Sequence, residues 1–190
     1  MNKEKYDDSP IYILLLSSFT ILFNTLSYHK FNILNTYIVS SSLLLPVIFY
    51  IQNIIFNKYS LKKNILSIII SVISTIIFNI IMNFSVGKDI SSNIFTINIM
   101  ILFISSFINL VIFNFIKYET KETYILVLIS YLLVQIIYHL IYVIFNLDRI
   151  VLKNYYKEYL LVILIEFLIV IIVSIIDKIT IRKPKVISKN

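Results

Sequence analysis

Six long apolar runs alternate with short polar stretches along the chain. Each run holds about 20 residues, enough to cross roughly 30 Å of hydrocarbon as an α-helix. Stretches such as residues 65–70 do not alternate as the strands of a membrane barrel would. We therefore predict an all-α integral membrane protein, a single polytopic domain over residues 1–190 with six transmembrane helices and short loops, at approximately 11–28, 34–56, 64–84, 94–116, 123–146 and 159–179.

The composition supports a membrane protein. Hydrophobic residues make up 59% of the chain and charged residues 14%, whereas about a quarter of the residues of a soluble domain are charged. Six spans use most of the 190 residues, so no room is left for a separate soluble domain.

Several kinds of chemistry are disfavoured by the residues present. The chain has no cysteine and two histidines, His29 and His139, which is too few for the usual histidine-rich zinc sites. It contains no His-Glu-x-x-His, Gly-x-Ser-x-Gly or glycine-rich phosphate motif. We expect no metal, no cofactor and no enzymatic activity.

Loop charge predicts the orientation. Of the 17 lysines and arginines, the side opposite the N-terminus holds only Lys30, Lys88, Arg149, Lys153 and Lys157. Positive residues accumulate on the cytoplasmic side, so both termini should be cytoplasmic in a multi-pass protein of the cytoplasmic membrane. This distribution also explains the net charge of +7 without nucleic acid as a partner.

Polar side chains within the apolar runs are the informative positions, because they are costly in hydrocarbon and face a bundle interior or a cavity. The third run carries a polar stripe in which a polar residue recurs every four positions. Its small residues favour helix packing over ligand contact, because they allow close approach. The stripe comprises Ser67, Ser71, Thr75, Asn79 and Asn83. Asn98, Ser105 and Asn109 share a face of the fourth run. Pro46 in the second run either kinks its helix or is accommodated by neighbouring helices.

Glu166 is the strongest single candidate for function. A carboxylate near mid-membrane costs about 3 kcal/mol on insertion scales, so it must be protonated, paired or hydrated. Gln135 and His139 lie one helical turn apart, and His139 is either a ligand-binding residue or an interior histidine bonded to Gln135. The candidate substrate-binding residues are Asn53, Asn109, Gln135, His139 and Glu166. For the asparagines, the alternative is hydrogen bonding between helices.

Two stretches carry a family resemblance. Residues 46–62 (PVIFYIQNIIFNKYSLK) and residues 105–117 (SSFINLVIFNFIK), continued by 130–135 (SYLLVQ), resemble the VUT family of queuosine precursor transporters. The overall pattern is similar to the S components of energy-coupling-factor vitamin transporters. The residues shared with the VUT pattern are Pro46, Tyr59, Lys62, Ser105, Phe113, Lys117, Ser130 and Gln135. Where that family carries acids, this chain has Asn53, Asn57 and Asn109.

The resemblance implies uptake of a small planar nutrient, most simply a 7-deazaguanine precursor of queuosine. Glu166 would accept its ring N–H and exocyclic amine, and the amides of Asn53, Asn109 and Gln135 would donate to its carbonyl. The implied partners are this solute, membrane lipid and an energy-coupling ATPase module. The alternative from another class is a non-transporting membrane scaffold or regulatory partner, in which the polar residues only pair helices.

Overall fold

The computed structural model describes residues 7–27, 29–33, 36–86, 92–119, 123–145 and 152–181. Within these ranges the chain forms six α-helices, a β-hairpin and a short 3-10 helix. In chain order they are α1 (Ser9–Leu26), β1 (Lys30–Ile33), β2 (Thr36–Val39), the 3-10 helix (Ser40–Leu44), α2 (Leu45–Lys58), α3 (Leu61–Val86), α4 (Ser92–Glu119), α5 (Thr123–Phe145) and α6 (Leu152–Ile181).

Four helical segments among the described residues are long and apolar enough to cross a membrane, namely Ser9–Leu26, Ser40–Lys58, Leu61–Phe84 and Thr96–Lys117. The described parts of α5 and α6 contribute shorter apolar segments, Ile129–Phe145 and Tyr159–Ile172. The prediction of a mainly helical chain is therefore confirmed, with four helices long and apolar enough to span a membrane, while the count of six spans stays a prediction. Several loop charges behind the predicted orientation, including Lys88, Arg149 and Lys183, lie outside the described residues.

The predicted helix over residues 34–56 is wrong at residues 36–39, which form a strand. Before α2 begins, β1 and β2 pair antiparallel, with Lys30 opposite Val39 and Ile33 opposite Thr36. The sequence of β2 is Thr-Tyr-Ile-Val, and β-branched and aromatic residues favour extended backbone. An apolar run alone does not distinguish such a strand from a helix.

Pro46 does not kink a helix. It lies in the first turn of α2, where its missing N–H leaves no intrahelical hydrogen bond unmade and its fixed φ suits the helix. The proline therefore marks the start of α2 after the 3-10 helix.

Helix α2 is the centre of the bundle and contacts each of the other five helices. Its apolar side chains Ile48, Phe49, Ile55 and Phe56 are buried. Strand β2 and the 3-10 helix pack on α6, and Ile38 of β2 is also buried. Polar groups on α2 are consequently placed where several helices meet.

The polar stripe on α3 serves packing, as the sequence favoured. Ser67, Ser71 and Thr75 are buried, and α3 packs closely against α1. Their hydroxyls donate to carbonyls of α3 itself, at 2.7, 2.8 and 2.8 Å. The rest of the stripe, Asn79 and Asn83, is only half-buried.

Candidate functional site

A cluster of amide and hydroxyl side chains joins α2, α4 and α5 in the interior. We call it the amide cluster; it comprises Gln52, Asn53, Ser106, Asn109 and Ser130, all of them buried. Gln52 Nε2 donates to Ser106 Oγ at 2.7 Å, and Asn53 Nδ2 donates to Ser130 Oγ at 2.9 Å. Asn109 Nδ2 lies 3.1 Å from both Gln52 Oε1 and Asn53 Oδ1.

These bonds use both ends of the Gln52 and Asn53 amides. Such interhelical hydrogen bonds stabilise membrane helix bundles by about 1 kcal/mol each. Asn53 is thus bonded to α4 on one side and to α5 on the other. The sequence proposed Asn53 as a solute-binding residue, and the contacts favour its alternative role as a link between helices.

A second group, here called the carboxyl cluster, consists of Gln135 and His139 on α5 and Glu166 on α6. Gln135 Nε2 donates to Glu166 Oε2 and lies 3.0 Å from His139 Nε2. His139 Nε2 is also 3.4 Å from Glu166 Oε2. The predicted contact between Gln135 and His139 is confirmed, because residues four apart share a helix face.

The tautomer of His139 depends on how Gln135 uses its two amide hydrogens. An amide NH₂ group has two hydrogens and no acceptor. If Gln135 Nε2 donates one hydrogen to Glu166 Oε2 and the other to His139 Nε2, then His139 Nε2 acts as an acceptor. His139 is therefore a neutral imidazole with its proton on Nδ1 in this arrangement.

Aromatic rings surround the two clusters. The Phe49 ring on α2 packs edge-on against Tyr131 and Tyr138 of α5, with centroids 6.5 and 6.4 Å apart. Tyr138 also packs on Tyr142 in a stacked arrangement, and the His139 ring lies 4.9 Å from that of Tyr159 on α6. These rings provide the flat apolar surface against which a planar molecule packs.

Four polar atoms in this region have no hydrogen-bond partner within the described structure. They are Asn109 Oδ1, Tyr131 OH, Gln135 Oε1 and Glu166 Oε1. A buried polar atom left without a partner costs about 1–3 kcal/mol, so each such atom requires an explanation. The two amide oxygens accept hydrogen bonds only, whereas the Glu166 oxygen can also donate when protonated and the phenol of Tyr131 can both donate and accept.

All five predicted site residues are buried, and the structure brings them into two groups. Asn53 and Asn109 belong to the amide cluster, whereas Gln135, His139 and Glu166 form the carboxyl cluster. The proposal from sequence missed Gln52, Ser106 and Tyr131. Gln52 had a signal, because it is a second amide beside Asn53 within an apolar run.

A third polar group lies where α1 begins and α2 meets α3, at the surface. Lys63 Nζ is 2.5 Å from Asp7 Oδ2, and Lys58 Nζ is 2.7 Å from Tyr12 OH and 3.7 Å from Asp8 Oδ2. The hydrogen bond from Lys63 lowers the pKa of Asp7 to about 2. This helix-end cluster ties three helices together, and nothing in the sequence pattern paired these residues.

Comparison with known proteins gives no match to a family model, a curated protein or a solved structure.

Proposed function

We propose that the chain is a multi-pass protein of the cytoplasmic membrane that binds a small planar solute among α2, α4, α5 and α6 and carries it into the cell. The observation that carries this proposal is the pair of unpartnered acceptors in the carboxyl cluster, Glu166 Oε1 and Gln135 Oε1, on two helices that pack together. Intramembrane ionisable residues commonly mark the path or the binding site of a transported solute.

The contrast between the two clusters supports binding over helix pairing at Glu166. In the amide cluster the Gln52 and Asn53 side chains are bonded at both ends, as a structural link requires. In the carboxyl cluster Glu166 uses only Oε2, and Gln135 uses only Nε2. A buried acid that merely paired helices would offer little advantage over an apolar residue.

The chemistry of the free atoms supports a solute that carries hydrogen-bond donors. Glu166 Oε1, Gln135 Oε1 and Asn109 Oδ1 require hydrogen-bond donors. A 7-deazaguanine base offers adjacent donors at its ring N–H and exocyclic amine, and its flat ring suits the surrounding aromatic side chains. A queuosine precursor is accordingly the proposed substrate, in keeping with the resemblance over residues 46–62.

We further propose that all six helices span the membrane with both termini in the cytoplasm. Support comes from the lysine and arginine distribution and from the apolar segments of α5 and α6. An energy-coupling ATPase module is the proposed partner, and it would be tested by co-purification with the tagged chain.

The test is uptake of a labelled 7-deazaguanine base by cells lacking their own synthesis and import of queuosine precursors. Cells would express the native chain, Glu166→Gln or the control Thr75→Val at matched membrane levels. Thr75 is a suitable control because its hydroxyl bonds within α3. We expect saturable uptake with the native chain and Thr75→Val, and its loss with Glu166→Gln. Absence of uptake from properly inserted native protein would refute the queuosine assignment.

One alternative function is a scaffold that only holds helices together. The amide cluster favours it, because the Asn53 amide is hydrogen-bonded at both ends. A scaffold would keep its partners and its assembly state in the Glu166→Gln variant, and no solute would raise its thermal stability. A ligand that stabilises the native chain but not Glu166→Gln would exclude the scaffold.

A further inference from the structure

The two carboxyl oxygens of Glu166 have different surroundings. Oε2 accepts a hydrogen bond from Gln135 and has His139 Nε2 at 3.4 Å. Oε1 has no partner within the described structure, although the residue is 0% exposed. Oε2 is thus hydrogen-bonded within the protein, whereas Oε1 is left to bond a proton or a hydrogen-bond donor of a solute.

No positive charge of the described residues compensates Glu166. On α5 its titratable neighbours are His139, which is a neutral imidazole when its Nε2 accepts from Gln135, and the phenol of Tyr131. On α6 the neighbour is the phenol of Tyr159. Lys58 is the charged residue of α2, and it is engaged with Tyr12 and Asp8 at the end of that helix. The described side chains of β2 and the 3-10 helix are uncharged.

An ionised Glu166 would therefore be a buried negative charge with no positive partner among the described residues. Such a charge is very unfavourable and is normally neutralised by a proton or a counter-ion. The free oxygen Oε1 is the atom on which a neutralising proton can reside, because Oε2 already accepts from Gln135. It is also the atom to which the proposed solute would donate.

We propose that Glu166 Oε1 carries one exchangeable proton in the empty site, and that a positively charged solute displaces this proton when it binds. The O–H bond of the carboxylic acid breaks, its proton passes to water, and the carboxylate accepts an N–H of the cation. The net charge of the site is zero before and after the exchange. This inference rests on the proposed function and narrows the solute to planar cations with N–H donors.

The first experiment needs no solute. Infrared difference spectra of the full chain in lipid nanodiscs, recorded as the pH is raised, report the C=O stretch of a protonated carboxyl group. We expect one such band to disappear at alkaline pH in the native chain and in the control Thr75→Val, and to be missing in Glu166→Gln. The glutamine side chain is uncharged and of similar size, so this variant should insert and fold. A native spectrum without a band that depends on Glu166 would overturn the proposal.

The second experiment uses two probes with the same ring, a 7-deazaguanine with an aminomethyl substituent, which is a cation, and one with a nitrile, which is neutral. We expect the cation to bind more tightly, to release about one proton per molecule into weakly buffered medium, and to lose affinity about tenfold per pH unit on the acid side of the infrared transition. Thr75→Val should behave like the native chain.

The outcomes separate the two proposals. Binding of the cationic probe without proton release and without pH dependence, or binding of the nitrile alone, would overturn the exchange and leave the solute-binding function in place. Failure of both probes to bind a chain that shows the Glu166 band would overturn the proposed substrate class, and the displacement with it.

Discussion

Asn109 Nδ2 lies 3.1 Å from Asn53 Oδ1, so an amide pair joins α4 to α2. Two carboxylates at this separation would not both remain ionised, because like charges in contact disfavour each other. The two amides instead bond directly, since one donates and the other accepts. The two asparagines are therefore coupled in space and act as one contact between the helices.

Removing the Asn109 amide should destabilise the bundle. In Asn109→Leu, the acceptors Gln52 Oε1 and Asn53 Oδ1 both lose their donor while they stay buried. We expect a loss of about 1–3 kcal/mol in the free energy of unfolding, measured by circular dichroism in mixed detergent micelles. Asn98→Leu is the matched control, because Asn98 is buried on the same helix outside the amide cluster. Equal losses in the two variants would contradict the assigned role.

Two buried serines should respond differently to alanine. Ser130 Oγ accepts from Asn53 Nδ2, whereas Ser105 Oγ has no partner in the described structure, and both residues are 0% exposed. Ser130→Ala leaves a buried amide donor unpaired and should cost about 1–2 kcal/mol. Ser105→Ala removes an unsatisfied hydroxyl and should change stability by less than about 0.5 kcal/mol. The same unfolding measurement compares them, and a larger loss in Ser105→Ala would be the contrary result.

The helix-end cluster should make stability depend on pH in the acid range. The Lys63 hydrogen bond lowers the pKa of Asp7 from 3.8 to about 2, so the folded state favours the ionised form. This contribution is complete above the unfolded pKa and disappears as the pH falls through the folded pKa. Asp7→Asn should therefore lower the melting temperature slightly near neutral pH, with a difference that shrinks below pH 3.8 and vanishes below about 2.

Salt and a second variant provide the controls for Asp7. The pair is exposed, so high salt should weaken the difference between Asp7→Asn and the native chain. Lys62→Gln removes an exposed charge next to Lys63 and should not reproduce the pH dependence. A difference that persists unchanged at acid pH would show that the Lys63 contact is not its cause.

The orientation can be mapped directly, because the chain has no cysteine. Asn32 in the hairpin and Ser60 between α2 and α3 are both exposed. With cytoplasmic termini, Asn32→Cys should react with a membrane-impermeant maleimide on intact cells, and Ser60→Cys should react only after the membrane is permeabilised. The opposite pattern would reverse the proposed topology.

The sequence predicted the helices well where length and hydropathy decide the outcome. The runs at 64–84 and 94–116 lie inside α3 (Leu61–Val86) and α4 (Ser92–Glu119). The hairpin was missed because Ile38 and Val39 are as apolar in a strand as in a helix, and burial of Ile38 depends on contacts with other elements. Hydropathy does not contain that information.

The site shows the same division between local and distant contacts. Gln135 and His139 were predicted to meet because helical periodicity places residues four apart on one face. That Glu166 receives the Gln135 amide depends on α5 packing beside α6, and this order of helices is not encoded in the spacing of residues. The same holds for the contact between Asn53 and Ser130, which are 77 residues apart.

The hydroxyls of α3 show that a polar residue in an apolar helix of this chain need not face water or a ligand. Ser67, Ser71 and Thr75 each bond to a carbonyl of their own helix, so their oxygens need nothing from neighbours. In a chain without alanine, serine can thus replace it as a compact spacer between closely packed helices at little energetic expense. A row of serines in such a protein then indicates a contact surface between helices. A water-filled pore is expected only where the serine hydroxyl oxygens lack hydrogen-bond partners.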